Sequence, residues 1–277
     1  MPTPPPLHSS LLSFAAIDEG LDRVIRVDPL RPQVEWTLPL PCKSRTLQRL
    51  SDGHLLAVTD TGYMEIDSDR GVVRRKVSRF PSGVISATRL PHGHTFLGGL
   101  NLGRTGVTFD ELDANDEVVR SVAFPGDYVR RATLTSADTI LFTCDHCVRE
   151  GDWSGKIIRQ FSAPGFKHAW KALRFGDDRT VITAGYGAFV AEFTGDGRLS
   201  QRWECTEYTT EIRPFFFGDM EMLPDGGLLV CNWLGHGTDR GSTGYSLLHF
   251  YPAGKLAGAW RDASRASSLQ TFALMPQ

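Results

Sequence analysis

One phrase recurs along this chain and limits what it can fold into. Gln48-Arg49-Leu50 runs into Ser51-Asp52-Gly53-His54 and then into the apolar Leu55-Leu56-Ala57-Val58. The order returns as Thr88-Arg89-Leu90, Pro91-His92-Gly93-His94 and Thr95-Phe96-Leu97. It returns again as Glu221-Met222-Leu223, Pro224-Asp225-Gly226-Gly227 and Leu228-Leu229-Val230, with weaker copies around Asp138 and around Asp177. Each copy reads as a short strand, a polar turn and a second strand. A further hairpin follows, its turn marked by Asp69-Arg70-Gly71, Ala114-Asn115-Asp116, Trp153-Ser154-Gly155, Gly195-Asp196-Gly197 or Pro252-Ala253-Gly254. Gly, Asn and Asp accept the positive φ that tight hairpins require. Four short strands per unit of about 40 to 50 residues predict the blades of a propeller.

Aligning the units on Leu50, Leu90, Thr135, Phe175, Leu223 and Met275 gives spacings of 40, 45, 40, 48 and 52 residues, and so six blades. The last copy stops after its first strand, Ser268 to Met275, while the amino-terminal stretch Leu11 to Ala16 reads as a second strand. The expected fold is therefore an all-β, six-bladed β-propeller of four-stranded antiparallel blades. Its carboxy-terminal strand would pair into the first blade and close the ring, removing exposed sheet edges. Residues 1–277 read as one domain, with 1–9 as a loosely packed tail.

The strand, Leu-Pro-Asp/His-Gly turn and apolar strand, followed by a turn such as Asp113-Ala114-Asn115-Asp116 or Thr194-Gly195-Asp196-Gly197, resembles the quinoprotein-like (PQQ-like) repeat superfamily, including its arylsulfotransferase-like propellers. The resemblance covers nearly the whole chain and lies in structural turns. It implies the fold and leaves the activity open. The regular tryptophan motif of the PQQ dehydrogenases is missing, so PQQ is not expected as a cofactor.

With 30 basic and 32 acidic residues the net charge is −2, which gives no reason to expect nucleic acid as a partner. No apolar stretch approaches the roughly 18 residues of a membrane span, and the amino terminus, Met1-Pro2-Thr3-Pro4-Pro5-Pro6, lacks the basic and apolar regions of a signal peptide. Five unevenly spaced cysteines read as free thiols. The expected location is the cytoplasm.

In a propeller, the loops entering each innermost strand share one face with those joining the second strand to the third, and a ligand site is expected in the mouth they surround. The alignment places Lys43, Gly83, Tyr128, His168, Phe216 and Ser268 at that entrance. Two positions on come Arg45, Ile85, Arg130, Trp170, Gly218 and Gln270; then come Thr46, Ser86, Arg131, Lys171, Asp219 and Thr271. Arginine suits bidentate binding of carboxylate, sulfate or phosphate, and aromatic faces suit rings or sugars. Arg45, Arg130, Arg131, Lys171, Trp170, Arg213, Asp219, Phe216 and Asn232 are thus the expected ligand-binding set, for a small anionic or polyhydroxylated molecule. Successive strand residues point in opposite directions, so half of these positions have a competing structural reading.

His54, His92 and His94 fall in turns on the opposite face and read as exposed turn residues. His146, His168 and His236 map to the mouth side of blades four, five and six, where three converging imidazoles would hold a divalent metal. His168 and His236, with Glu211 and Tyr128, form the expected catalytic set. Cys144-Asp145-His146-Cys147 has one Cys-x-x-Cys spacing but no second pair to complete a zinc site. Gly-x-Ser-x-Gly and Gly-x-Gly-x-x-Gly motifs are absent, which disfavours serine-hydrolase and nucleotide chemistry. Gly185-Tyr186-Gly187 reads as a tight β connection. Two functions remain: a hydrolase, lyase or isomerase acting on a small molecule, or a propeller that binds ligands or proteins without catalysis.

Overall fold

The computed structural model describes residues 3–276. Among them, twenty-four strands form six four-stranded antiparallel sheets arranged as the blades of a ring. The chain is a six-bladed β-propeller.

Closure follows the expected route. Leu269–Leu274 is the innermost strand of blade one and pairs with Phe14–Asp18, aligning Phe14 with Leu274 and Ile17 with Thr271. The amino-terminal strand starts at Phe14 instead of Leu11, because Ser9–Leu11 forms a 3-10 turn. The other innermost strands are Leu47–Arg49, Val84–Arg89, Ala132–Leu134, Ala172–Arg174 and Phe216–Met222, one for each of blades two to six.

The stretch expected as a loose tail at 1–9 is packed over its described part. Pro6 bridges to Ala259 of blade six, and the Leu7 amide donates to the Ala259 carbonyl at 3.0 Å. The Leu7 side chain is buried with Phe14 and Trp260. A proline-rich segment has few amides to satisfy, so it can lie against a blade edge with little backbone cost. Residues 1 and 2 lie outside the described residues.

Apolar residues fill the spaces between blades. Phe96 and Phe109 of blade three stack at 5.5 Å between ring centroids, and Phe109 and Phe124 each meet Phe142 of blade four. Gly98 makes room for this layer: a Cβ there would lie 2.7 Å from the Phe109 ring.

Ion pairs repeat at the blade boundaries. An outer-strand arginine reaches an aspartate of the next blade, as Arg75 to Asp116, Arg120 to Asp138 and Arg159 to Asp178. A third-strand glutamate likewise accepts from an innermost-strand arginine of the following blade, Glu65 from Arg89 and Glu150 from Arg174, both at 2.7 Å. The partly exposed Arg–Asp pairs contribute up to about 1 kcal/mol each. No described helix is long and apolar enough to cross a membrane.

Candidate functional site

The innermost strands and the segments that enter them carry two tiers of side chains. The deeper tier is a closed ionic cluster. Asp219 of blade six is fully buried between Lys171 of blade five, 2.6 Å away, and Arg131 of blade four, 3.3 Å away. Thr271 of blade one also donates to it, and Arg131 reaches the Arg45 carbonyl of blade two at 3.0 Å. Residues from non-adjacent blades thus meet across the ring axis. Burial alone would push the Asp219 carboxyl up, but Lys171, Arg131 and Thr271 together hold it below the usual carboxylate range.

Three residues of the expected ligand-binding set are thus already paired with one another. Arg131, Lys171 and Asp219 satisfy one another and brace the ring, the role expected of a buried charge with its partners in place. Asn232 is likewise structural. Its oxygen accepts from the Phe215 and Phe216 amides, and its nitrogen donates to the Arg213 and Tyr245 carbonyls.

The outer tier is different. Arg45, Tyr128, Arg130, His168, Trp170, Phe216 and Gln270 line a recess of about 130 Å³ at the mouth, together with Tyr186, Trp233 and His236. Arg45 and Arg130 come from blades two and four, and neither has an ion-pair partner among the described residues. The Arg130 guanidinium lies 4.1 Å over the Tyr128 ring and donates to the Val129 carbonyl. Burial, and then the charge of Arg130, disfavour the protonated form of Arg45. Two cations share this recess without an ion-paired carboxylate; Glu19 and Asp60 offset the charge of Arg45 only in part, and an anion would relieve the rest.

His168 stands beside them in a strained backbone. Its φ is +58°, a left-handed conformation that costs a non-glycine residue roughly 1 kcal/mol or more. Asp145 accepts from the His168 amide at 3.1 Å and thereby fixes the turn. The imidazole Nδ1 lies 2.7 Å from the Tyr128 hydroxyl and 3.5 Å from an Asp145 oxygen. Burial, and secondarily Arg130 and Lys167, pull the His168 pKa below the usual value near 6.5, so the ring is neutral at pH 7. Burial pushes the Tyr128 phenol well up, and it stays protonated.

The floor and one wall are aromatic. Phe216 meets Trp170, Trp233 and Tyr186 edge to face, with centroids 4.9 to 5.5 Å apart. The buried Trp170 indole N–H has no partner among the described residues. Beyond Tyr186, Trp233 and His236 the recess continues into a groove of about 720 Å³ that is also lined by Arg213 and Phe215.

The expected metal trio is not assembled. His168 and His236 both line the mouth, but His146 turns away, 70% exposed, with Nδ1 donating to the Phe166 carbonyl. His236 bonds to Glu19 at 2.8 Å. Among the described residues, three metal-ligating side chains come within reach of one another elsewhere in the ring. Glu211, expected as a catalytic carboxylate, sits in the short helix Thr209–Ile212 and does not line the mouth.

The carboxylate at the rim is Glu19, which the sequence alignment passed over. Buried in the second-to-third-strand connection of blade one, it also accepts from Lys43 at 3.0 Å and from the Trp233 indole at 3.3 Å. Tyr186 was missed as well. Gly185-Tyr186-Gly187 is the tight connection expected, and a Cβ on Gly185 would strike the His168 carbonyl at 2.2 Å. That turn presents the Tyr186 ring to His168 at 5.4 Å. Both residues lie in loops of the kind expected to share the mouth face, so extending the alignment to those loops finds them.

The opposite end of the channel holds a cavity of about 610 Å³ beneath the ionic cluster. Its cations Arg131 and Lys171 are already paired, and burial pushes up the carboxyl of Glu221 there. It is less suited to an anion than the mouth.

No family profile matches the chain, and no curated protein is similar to it. Solved structures are similar in fold. A protein of unknown function from Bacteroides caccae superposes with a TM-score of 0.77 at 17% identity, covering 94% of this chain and 97% of that one. A catalytically inactive virginiamycin B lyase from Staphylococcus aureus, solved with quinupristin, gives 0.60 at 13% identity, covering 94% and 87%. The WD40 propeller domain of Doa1 gives 0.63 at 14%, covering 94% and 82%. At these identities the likeness is one of fold, shared by a lyase and by a WD40 domain alike.

Proposed function

We propose that the mouth is the site of an enzyme acting on a small molecule that carries an oxyanion, a carboxylate in the first instance. The observation that carries this reading is the pair of guanidiniums, Arg45 and Arg130, which share one aromatic recess with no ion-pair partner among the described residues. The charged group sits between them in the 130 Å³ recess. The rest of the molecule extends past Tyr186 and Trp233 into the groove, where aromatic faces suit an apolar or ring-bearing body.

His168 is the acid–base residue of this reading. With its proton on Nδ1, shared by the Tyr128 oxygen and facing Asp145, Nε2 carries a free lone pair. A neutral imidazole oriented by two neighbours is the arrangement a general base requires. It suits removal of a proton next to a carboxylate, as in a lyase or isomerase, or activation of water, as in a hydrolase.

A thermal-shift panel tests the proposal with aromatic and aliphatic carboxylates, sulfates and phosphates, each beside its uncharged amide or alcohol. A ligand at 100 times its Kd stabilises by about 2.7 kcal/mol, which raises Tm by roughly 5–10 °C in a domain of this size. Shifts confined to the anions support the reading. Equal shifts for charged and uncharged partners, or none at all, refute it. A bound anion that is unchanged after long incubation with the protein would leave a binding propeller in place of an enzyme.

A further inference from the structure

On the face opposite the mouth, two third-strand glutamates pair across a blade boundary, and Glu111 does not. Glu65 and Glu150 each accept from an arginine at the end of the next blade's innermost strand, Arg89 and Arg174. The aligned residue after Glu111 is Leu134, which has no charge to offer. Two imidazoles from the turn of its own blade reach Glu111 instead. His94 Nδ1 lies 2.7 Å and His92 Nε2 3.2 Å from the same oxygen, Glu111 Oε1.

We propose that His92, His94 and Glu111 bind one divalent transition-metal ion of the zinc, nickel or copper class. These are the three side chains whose ligand atoms, among the described residues, all lie within 4.8 Å of one another. Two imidazoles and a carboxylate suit borderline divalent metals, which prefer this mixture to the all-oxygen sets of calcium and magnesium.

The distances fit an ion. Metal–nitrogen and metal–oxygen bonds of about 2.0–2.2 Å in a tetrahedral site separate the ligand atoms by roughly 3.3 Å. His92 Nε2 is already at 3.2 Å, and His94 needs to open by about 0.6 Å. The turn allows this, because His92 is 54% exposed and Gly93 between the two takes a φ of +93°. A water would complete the coordination.

The carboxylate is oriented for the task. Glu111 is 5% exposed, and its other oxygen is held by Arg120 at 2.7 Å. That leaves Oε1 as the single donor, fixed by an outer partner as metal ligands commonly are. Arg120 is itself neutralised by Asp138 at 2.6 Å, so the surroundings do not repel a cation by a full charge. A bound ion would tie the first-to-second-strand turn of blade three to its third strand.

The test uses the full chain with Cys144→Ser and Cys147→Ser, which removes thiols that compete for the metal. After chelator treatment and dialysis, zinc and nickel are titrated by calorimetry into this protein and into its His92→Gln, His94→Gln and Glu111→Gln variants. The expected result is one ion bound per chain and at least tenfold weaker binding in each variant. His92→Gln alters an exposed side chain, so it reports on binding even where Glu111→Gln compromises folding; circular dichroism checks each variant. No binding to the parent protein overturns the proposal. So does binding that His92→Gln and His94→Gln leave unchanged.

Discussion

Tyr128 and His168 belong to neighbouring blades and meet through a 2.7 Å contact between the phenol oxygen and the imidazole Nδ1. The contact joins the innermost-strand entrances of blades four and five at the rim of the mouth. It places a neutral histidine next to two unpaired arginines, and a pH dependence follows from that placement.

The folded His168 has a lowered pKa, so as pH falls below about 6.5 the unfolded chain takes up a proton that the folded ring resists. Stability is therefore lost as pH drops from the usual histidine value toward the folded one, and His168→Gln removes this loss. Turnover, which needs the neutral ring, should persist below pH 6.5 and fall only as the folded group titrates. An NMR titration of the His168 ring checks this directly. A midpoint at or above 6.5 in the free protein would contradict it.

Arg45 and Arg130 repel each other in the unliganded mouth. Replacing either with glutamine should leave Tm unchanged or raise it slightly, since no ion pair is lost. Chemical denaturation of Arg45→Gln and Arg130→Gln measures this. A loss above about 2 kcal/mol, a size typical of a removed core contact, would mean that the arginines are structural.

Asp219 should behave in the opposite way. Asp219→Asn leaves Lys171 and Arg131 buried without their counter-charge, and the expected cost is about 3–5 kcal/mol at pH 7. Its carboxyl is held below the usual range, so the stabilisation is present above pH ~4 and is lost as pH falls through the folded pKa. The gap between wild type and Asp219→Asn should narrow with acid. A gap that stays constant from pH 7 to pH 3 would show that the charge is not what matters.

The ring was legible in the sequence because turns carry its information. Gly53, Gly93 and Gly226 all adopt the positive φ that their place in the repeated phrase demands, and the truncated last copy pointed to the pairing of Leu269–Leu274 with Phe14–Asp18. The mouth was legible only in part. Aligning the strand entrances picked out Arg45, Tyr128, Arg130, His168, Trp170 and Phe216, which the structure brings together. It could not tell Arg130 from Arg131, adjacent residues just before the strand Ala132–Leu134: one lines the mouth and the other pairs with Asp219. Glu19 and Tyr186 come from connections of differing length, where no fixed spacing marks them. Likewise His92 and His94 read as exposed turn residues, because their partner Glu111 is distant in sequence and joins them only through strand pairing.

The central claim is that Arg45 and Arg130 bind an anion at the mouth. Isothermal titration of the best carboxylate from the panel, into wild type and into the Arg45→Gln/Arg130→Gln double variant, tests it most directly. The account predicts one site per chain in the wild type and at least a hundredfold weaker binding in the double variant, the loss of two charge-assisted contacts at about 1.5–3 kcal/mol each. Equal affinity in the two proteins would contradict it.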